Sequence, residues 1–423
     1  MGKRKQRAET GAVEATSRMS KSSLALGNLR AVVIVIVLAF HSCLAYLVNI
    51  PQSVAFNQAP YTWEAFPIAD AHRWLGFDIF CATQDVSLMA LMFFLSGLLA
   101  GPSLERKGSR IYLLDRMRRI GLPFLFAVAF LSPIALYPAY AVRTADPDVA
   151  GFWQQWLSLP FWPIGPQWFL WQLLVLNGLA AGVFAVAPRV LRRFRTFADW
   201  AATRPVQYYA VMTGLSLLAY APLAFVYSPF TWHELGPFAL QLCRPLLYIV
   251  VFFAGFALGS RGIGHGLLSC DGPLARQWAW WTGVALLSFF AWAGLTSLTM
   301  PDWSTAPVAA KIGSTLAYPP ACIAGGLFMV AVFLRFSRMR SRILDSLSAN
   351  AYGMYLVHYV FVVWLQYALL PADLGAPLKA FLVFAGTFAL SWPASAAINR
   401  LLASSMTFAA KRPLDRVALP VRD

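Results

Sequence analysis

The amino-acid sequence predicts an all-α polytopic membrane protein. Three observations carry this: its hydropathy, the lengths of its apolar runs, and the side on which its basic residues fall. Of 423 residues, 59% are hydrophobic and only 12% charged, and the mean hydropathy is +0.60. Soluble domains carry about 25% charged residues. Length alone would suggest two or three soluble domains, but a single membrane domain accounts for all of it.

About 20 apolar residues cross the hydrocarbon core of a bilayer as a helix. Ten such spans are predicted, at 31–50, 79–101, 120–139, 167–187, 206–227, 241–260, 278–299, 313–334, 351–370 and 377–399. An even number returns the C-terminus to the side of the N-terminus. Lys and Arg gather in the cytoplasmic segments of membrane proteins. With the N-terminus inside, counting Arg30 with the leader and Arg400 with the tail, 29 of the 34 Lys and Arg residues lie on inner segments. The exceptions are Arg73, Arg143, Arg244, Lys311 and Lys379. Both termini are therefore expected to be cytoplasmic. The net charge of +16 follows from topology and does not point to nucleic acid as a partner.

Residues 1–27 read as a basic, disordered leader, 28–403 as the membrane domain and 404–423 as a basic tail. The leader precedes a full-length apolar run, so the first span is read as uncleaved. The five cysteines show no C-x-x-C or Cys/His metal spacing, and no metal site is expected. Cys43 and Cys81 both approach the outer face, where packing as free thiols is the preferred reading over a disulfide. The outer loops 51–78 and 140–166 are rich in Pro and aromatics and too short for separate domains. There is no internal repeat, which counts against the common transporter folds.

Ionisable residues inside spans are costly and signal function. Arg30 and His41 are eleven residues apart. At about 100° per residue they share one helix face, separated by roughly 16 Å along the axis. Arg30 sits at the inner boundary, which equally suits a snorkelling anchor, and His41 near the midplane, where a helix–helix hydrogen bond is the plain alternative. His358, in "ANAYGMYLVHYVFVVW", lies about 12 Å into the ninth span, with Tyr352 and Tyr355 at three-residue spacing before it; structural and chemical roles fit it equally. Asp85, in "FCATQDVSLMALMFFLSGLLAG", lies towards the outer leaflet and could orient an imidazole or hold an acceptor; equally, a span that begins later would leave it in water. His72 and the His233–Glu234 pair fall on outer loops and read as solvated polarity. The strongest basic cluster is "ERKGSRIYLLDRMRRIGLPF", where Arg116 and Arg119 form R-x-x-R one turn apart. Guanidinium groups match phosphate bidentately, although topology or anionic lipid explains the cluster as well.

Together these pieces resemble the acyltransferase 3 family of bacterial integral-membrane acyltransferases over about residues 28–400. Arg30 and His41 match its first-helix R-x10-H, "MFFLSGLLAG" its Phe-Phe-x-x-Ser-Gly pattern, and Arg116 and Arg119 its R-x-x-R. "GPQWFLWQLL" matches its Trp-Phe-Leu segment, and "AYGMYLVH" its late Ser-Tyr-Gly-x-Tyr-x-x-His motif. The chain departs from the family at Asn28, where members often carry Asp, and at Ala351, where the late motif begins with Ser. No SGNH-type domain follows the membrane part, so a stand-alone form is expected.

The resemblance implies transfer of an acyl group from cytoplasmic acyl-CoA, acetyl-CoA foremost, to a hydroxyl of a carbohydrate or glycolipid at the bacterial cytoplasmic membrane. Arg116 and Arg119, with Arg30, would then hold the donor's phosphates. His41 would act as general base or acyl carrier, with His358 and Asp85 in supporting roles. The rival reading is a transporter or flippase for a polar lipid or glycan.

Overall fold

The computed structural model describes residues 2–51, 54–300 and 302–410, and among these the regular structure is helical apart from one short hairpin, with loops between the elements. Helix α1 is Gly2–Cys43 and runs on from the leader without a break. Helix α2, Leu75–Arg116, continues through a π turn (Met117–Gly121), α3 (Leu122–Phe126), a second π turn (Ala127–Leu131) and α4 (Ser132–Ala141). Next come α5 (Val149–Ser158), α6 (Trp168–Val186), α7 (Val190–Ala202) and α8 (Pro205–Tyr227). The hairpin of β1 (His233–Leu235) and β2 (Phe238–Leu240) pairs Glu234 with Ala239. Helices α9 (Pro245–Ser260), α10 (Pro273–Arg276), α11 (Trp278–Ser297), α12 (Val308–Phe336), α13 (Arg342–Ala368) and α14 (Ala376–Ala410) complete the bundle. Most of the expected tail, 411–423, lies outside the described residues.

Among the described residues, seven helical stretches are long and apolar enough to cross a membrane. One of them, Leu75–Ala141, is long enough for two crossings and holds the second and third expected spans. It breaks at Gly108, whose φ of 72° and ψ of 163° leave the helical region. The expected inner loop 102–119 is therefore helical on both sides of a single glycine. The sixth expected span is the shorter apolar helix α9, and the ninth lies within α13, whose first turns are polar. The segment expected as the inner loop 188–205 is mostly α7, which lays Leu191, Ala198 and Ala201 on the bundle and keeps Arg192 and Arg193 exposed.

Two cores stack along the bundle. The larger joins α1, α2, α6, α8, α9, α12 and α13. The smaller lies at the end opposite the basic segments, where Trp63 and Phe56 from one long loop pack with Tyr140, Phe152 and Trp156. Trp63 stacks on Phe56 at 4.2 Å and donates its indole N–H to the Phe56 carbonyl at 2.8 Å. Arg143 reaches the Pro67 carbonyl at 2.8 Å, while burial pushes its guanidinium down to about 10. The long loops expected on the outer side thus form a packed cap. All five cysteines are free and buried, Cys43 and Cys81 included.

Helices α2 and α9 approach closely enough to leave no room for side chains between them. A Cβ on Gly97 would strike the Phe252 carbonyl, and one on Gly255 or Gly259 would strike the carbonyls of Phe94 and Leu98. Such small-residue seams let membrane helices gain dispersion and weak Cα–H···O contacts where no hydrophobic force drives them together. Gly255→Ala and Gly259→Ala are each expected to cost about 1–3 kcal/mol through overpacking. The reading is a lower unfolding midpoint of the detergent-solubilised protein. Gly178→Ala, on α6 with nothing within 4 Å of its Cβ, is the control and should not lower it.

Candidate active site

Helix α1 carries Arg30 and His41 on one face, and α13 packs along it. The predicted alignment brings His41 onto His358, 317 residues later in the chain. His41 Nδ1 lies 3.3 Å from His358 Nε2, with ring centroids 4.9 Å apart. His358 is fully buried, and its Nδ1 lies 2.6 Å from the Tyr355 carbonyl. His41 is only part-buried, and its Nδ1 is also 2.9 Å from the Val37 carbonyl. Gln366, a little over two turns beyond His358 on α13, donates to the His41 carbonyl at 2.9 Å. Phe40 and Tyr359 set their rings edge-on to the His41 ring, at 5.1 and 5.4 Å.

The segment Gly165–Gln167 clamps α13 at this level. Tyr355 donates its hydroxyl to the Pro166 carbonyl, and Gln167 donates to the Leu356 carbonyl at 3.2 Å. Gly165 has φ +52°, and a Cβ there would meet the Tyr359 ring at 2.8 Å, so only glycine fits. The motif segments then meet through their rings. Phe93 of α2 contacts Phe169 of α6 at 4.7 Å, Phe169 contacts Tyr355 at 5.9 Å, and Tyr355 contacts His358 at 5.7 Å.

Asp85 does not orient either imidazole. Both its oxygens accept from Arg244, at 2.9 and 2.6 Å, and Arg244 is buried at the head of α9 with its guanidinium over Tyr318. A buried guanidinium so close outcompetes a neutral ring for a carboxylate. Arg244 stood out in the sequence only as a basic residue on the wrong side. Arg116 lies over the Tyr112 ring at 4.9 Å with its Nε buried, while Arg119 is exposed and donates to Asp115 at 2.8 Å. Asp115 also accepts from Lys107 at 2.8 Å. The two arginines of R-x-x-R thus flank the junction of α2 with its π turn in different surroundings, Arg116 against the bundle and Arg119 outward. Arg30 is exposed on α1. Asn28, where the resembled family often has Asp, is buried and donates its amide to Ser337 at 2.9 Å.

One pair escaped sequence reasoning. The Glu64 carboxyl hydrogen-bonds that of Glu234 and the Ile164 N–H, and burial together with Glu234 holds Glu64 well above the usual carboxylate range. The Glu64 carbonyl accepts from Tyr359 at 3.4 Å, so this pair caps the histidines from the loop side. Nothing in the local sequence ties residues 64 and 234. Of the other histidines, His72 pairs with Asp70 and Asp373 at 3.3 Å each, and His233 packs against Tyr227.

An imidazole that is part-exposed, fixed by main-chain contacts and backed by a second imidazole can take and return a proton. No match is found among curated proteins or among solved structures. The acyltransferase domain model of the acyltransferase 3 family matches residues 24–396, nearly the whole chain, and with several apolar helices able to span a bilayer the chain belongs to that family of multi-pass membrane acyltransferases.

Proposed function

We propose that the chain is a ten-span O-acyltransferase of the bacterial cytoplasmic membrane, with both termini inside. It moves an acyl group, acetyl foremost, from cytoplasmic acyl-CoA to a hydroxyl of a carbohydrate or glycolipid. The observation that carries this reading is the part-exposed His41, in contact with His358 inside the bundle and on the same helix face as Arg30. The basic-residue distribution supports the orientation.

Arg30, Arg116 and Arg119 would hold the donor's phosphates through charge-assisted hydrogen bonds. Arg119 would exchange Asp115 for phosphate, and Arg116 would bring a guanidinium already oriented by Tyr112. The acceptor hydroxyl attacks the thioester carbonyl as His41 takes its proton. The carbon–oxygen bond forms, the carbon–sulfur bond breaks, and the proton passes from His41 to the departing CoA sulfur. A neutral imidazole suits this near pH 7.

His41→Ala is expected to lower acetyl transfer from radiolabelled acetyl-CoA by about 100-fold or more, with the protein still folded and inserted. Unchanged turnover would remove His41 from the mechanism. Arg116→Ala combined with Arg119→Ala should weaken acetyl-CoA binding by roughly 10-fold or more, from the loss of charged hydrogen bonds. Calorimetric titration of the purified protein reads this directly; an unchanged affinity would leave both arginines as topology signals.

A further inference from the structure

We infer that His358 is a positioning residue: it holds His41 in the Nδ1–H tautomer, so that Nε2 of His41 is the atom that receives the acceptor's proton. This rests on His41 being the base proposed above, and it identifies which nitrogen works and why a second histidine is present.

The hydrogen-bond partners fix the tautomers. A carbonyl oxygen only accepts, so His358 Nδ1, at 2.6 Å from the Tyr355 carbonyl, carries a hydrogen. In the neutral ring His358 Nε2 is then a bare acceptor. His41 Nδ1 lies 2.9 Å from the Val37 carbonyl, so it too carries a hydrogen, shared between that carbonyl and His358 Nε2 at 3.3 Å. His41 Nε2 is left with the lone pair. A second proton on His358 would set two N–H groups against each other, whereas a second proton on His41 leaves the contact intact and strengthens it. The pair therefore has room for one extra proton, on His41 Nε2. His358 has no exposed surface and His41 has some, so the ring that meets substrate is His41.

The other titratable groups around His41 are Tyr355 and Tyr359 on α13, Cys43 on α1, Cys81 on α2 beside the Phe40 carbonyl, and Glu64 beyond Tyr359. Among the described residues no carboxylate bonds to either imidazole. His358 thus supplies the acceptor that a carboxylate supplies in an Asp–His pair, without placing a charge at membrane depth.

Nitrogen-15 NMR of the histidine-labelled protein in detergent tests the assignment without any substrate. The chain has five histidines, and His41→Ala and His358→Gln identify the two resonance sets. Both rings should show a protonated Nδ1 and a bare Nε2, the less common tautomer of free histidine. A protonated Nε2 on His41 would overturn the inference. In transfer from radiolabelled acetyl-CoA, His358→Leu should lower kcat by about 100-fold with KM for acetyl-CoA nearly unchanged. His358→Gln, whose side-chain oxygen restores an acceptor, should recover most of the loss. Without the acceptor the His41 imidazolium is less stable, so the acid limb of the pH profile should move to lower pH in His358→Leu and stay in place in His358→Gln. If Gln is no better than Leu, or Leu matches the parent, His358 does not position His41. If His41→Ala itself keeps full turnover, His41 is not the base, and the proposed role of His41 fails instead.

Discussion

Two imidazoles, contributed by helices near opposite ends of the chain, must satisfy each other inside an apolar bundle. In a bilayer core there is no water to solvate a polar ring, so each needs a partner within the protein. The contact between His41 and His358 meets that need and in doing so fixes the register of α13 against α1. Gln366 repeats the reading farther along α13 by binding the carbonyl of His41 itself. The Gly165–Gln167 clamp then holds α13 from its other flank through Tyr355 and Leu356. A slip of α13 along α1 would break all of these bonds together.

Charge is handled differently. Asp85 with Arg244 and Asp70 with Lys379 are opposite charges drawn from distant parts of the chain and neutralised on the spot, the second pair at 2.7 Å and fully enclosed. Removing one member of the enclosed Asp70–Lys379 pair strands the other, at a cost of about 3–5 kcal/mol. The two pairs hold α2 to α9 and the cap to α14. Their charges are spent on each other, so they are poor candidates for binding substrate. The groups with capacity to spare are the histidines inside and, at the basic end, Arg30 and Arg116, with Arg119 held by Asp115.

The helical frame was legible because hydropathy is a local property. Each expected span overlaps a helical stretch, and the arithmetic that put Arg30 and His41 on one face needed only the helical repeat. Pairings across the chain were not legible. Asp85 and Arg244 are 159 residues apart, and the Glu64–Glu234 contact joins a loop to a hairpin; neither leaves a local pattern. His358 was visible as a polar residue at depth, but its partner was not, because periodicity says which face a residue occupies and not which helix covers it. The break at Gly108 was hidden for a related reason. The flanking residues favour helix on both sides, and one glycine is enough for the chain to turn.

The resembled motifs look scattered in sequence, yet Phe93, Phe169, Tyr355 and His358 form one continuous series of ring contacts ending at His41. Phe93, Phe169 and Tyr355 therefore build the surroundings of the imidazole pair and need no chemistry of their own. Arg30 stands apart from this series, three turns along the same face of α1 and about 16 Å away. A donor whose phosphates rest at Arg30 must present its acyl carbon that far from them. An acyl phosphate, with the reactive carbon adjacent to the phosphate, cannot occupy both places at once. A thioester on a long, narrow pantetheine arm can. With Arg30 holding the donor's phosphates as proposed, the spacing of two residues on one helix suits acyl-CoA better than the smaller activated donors.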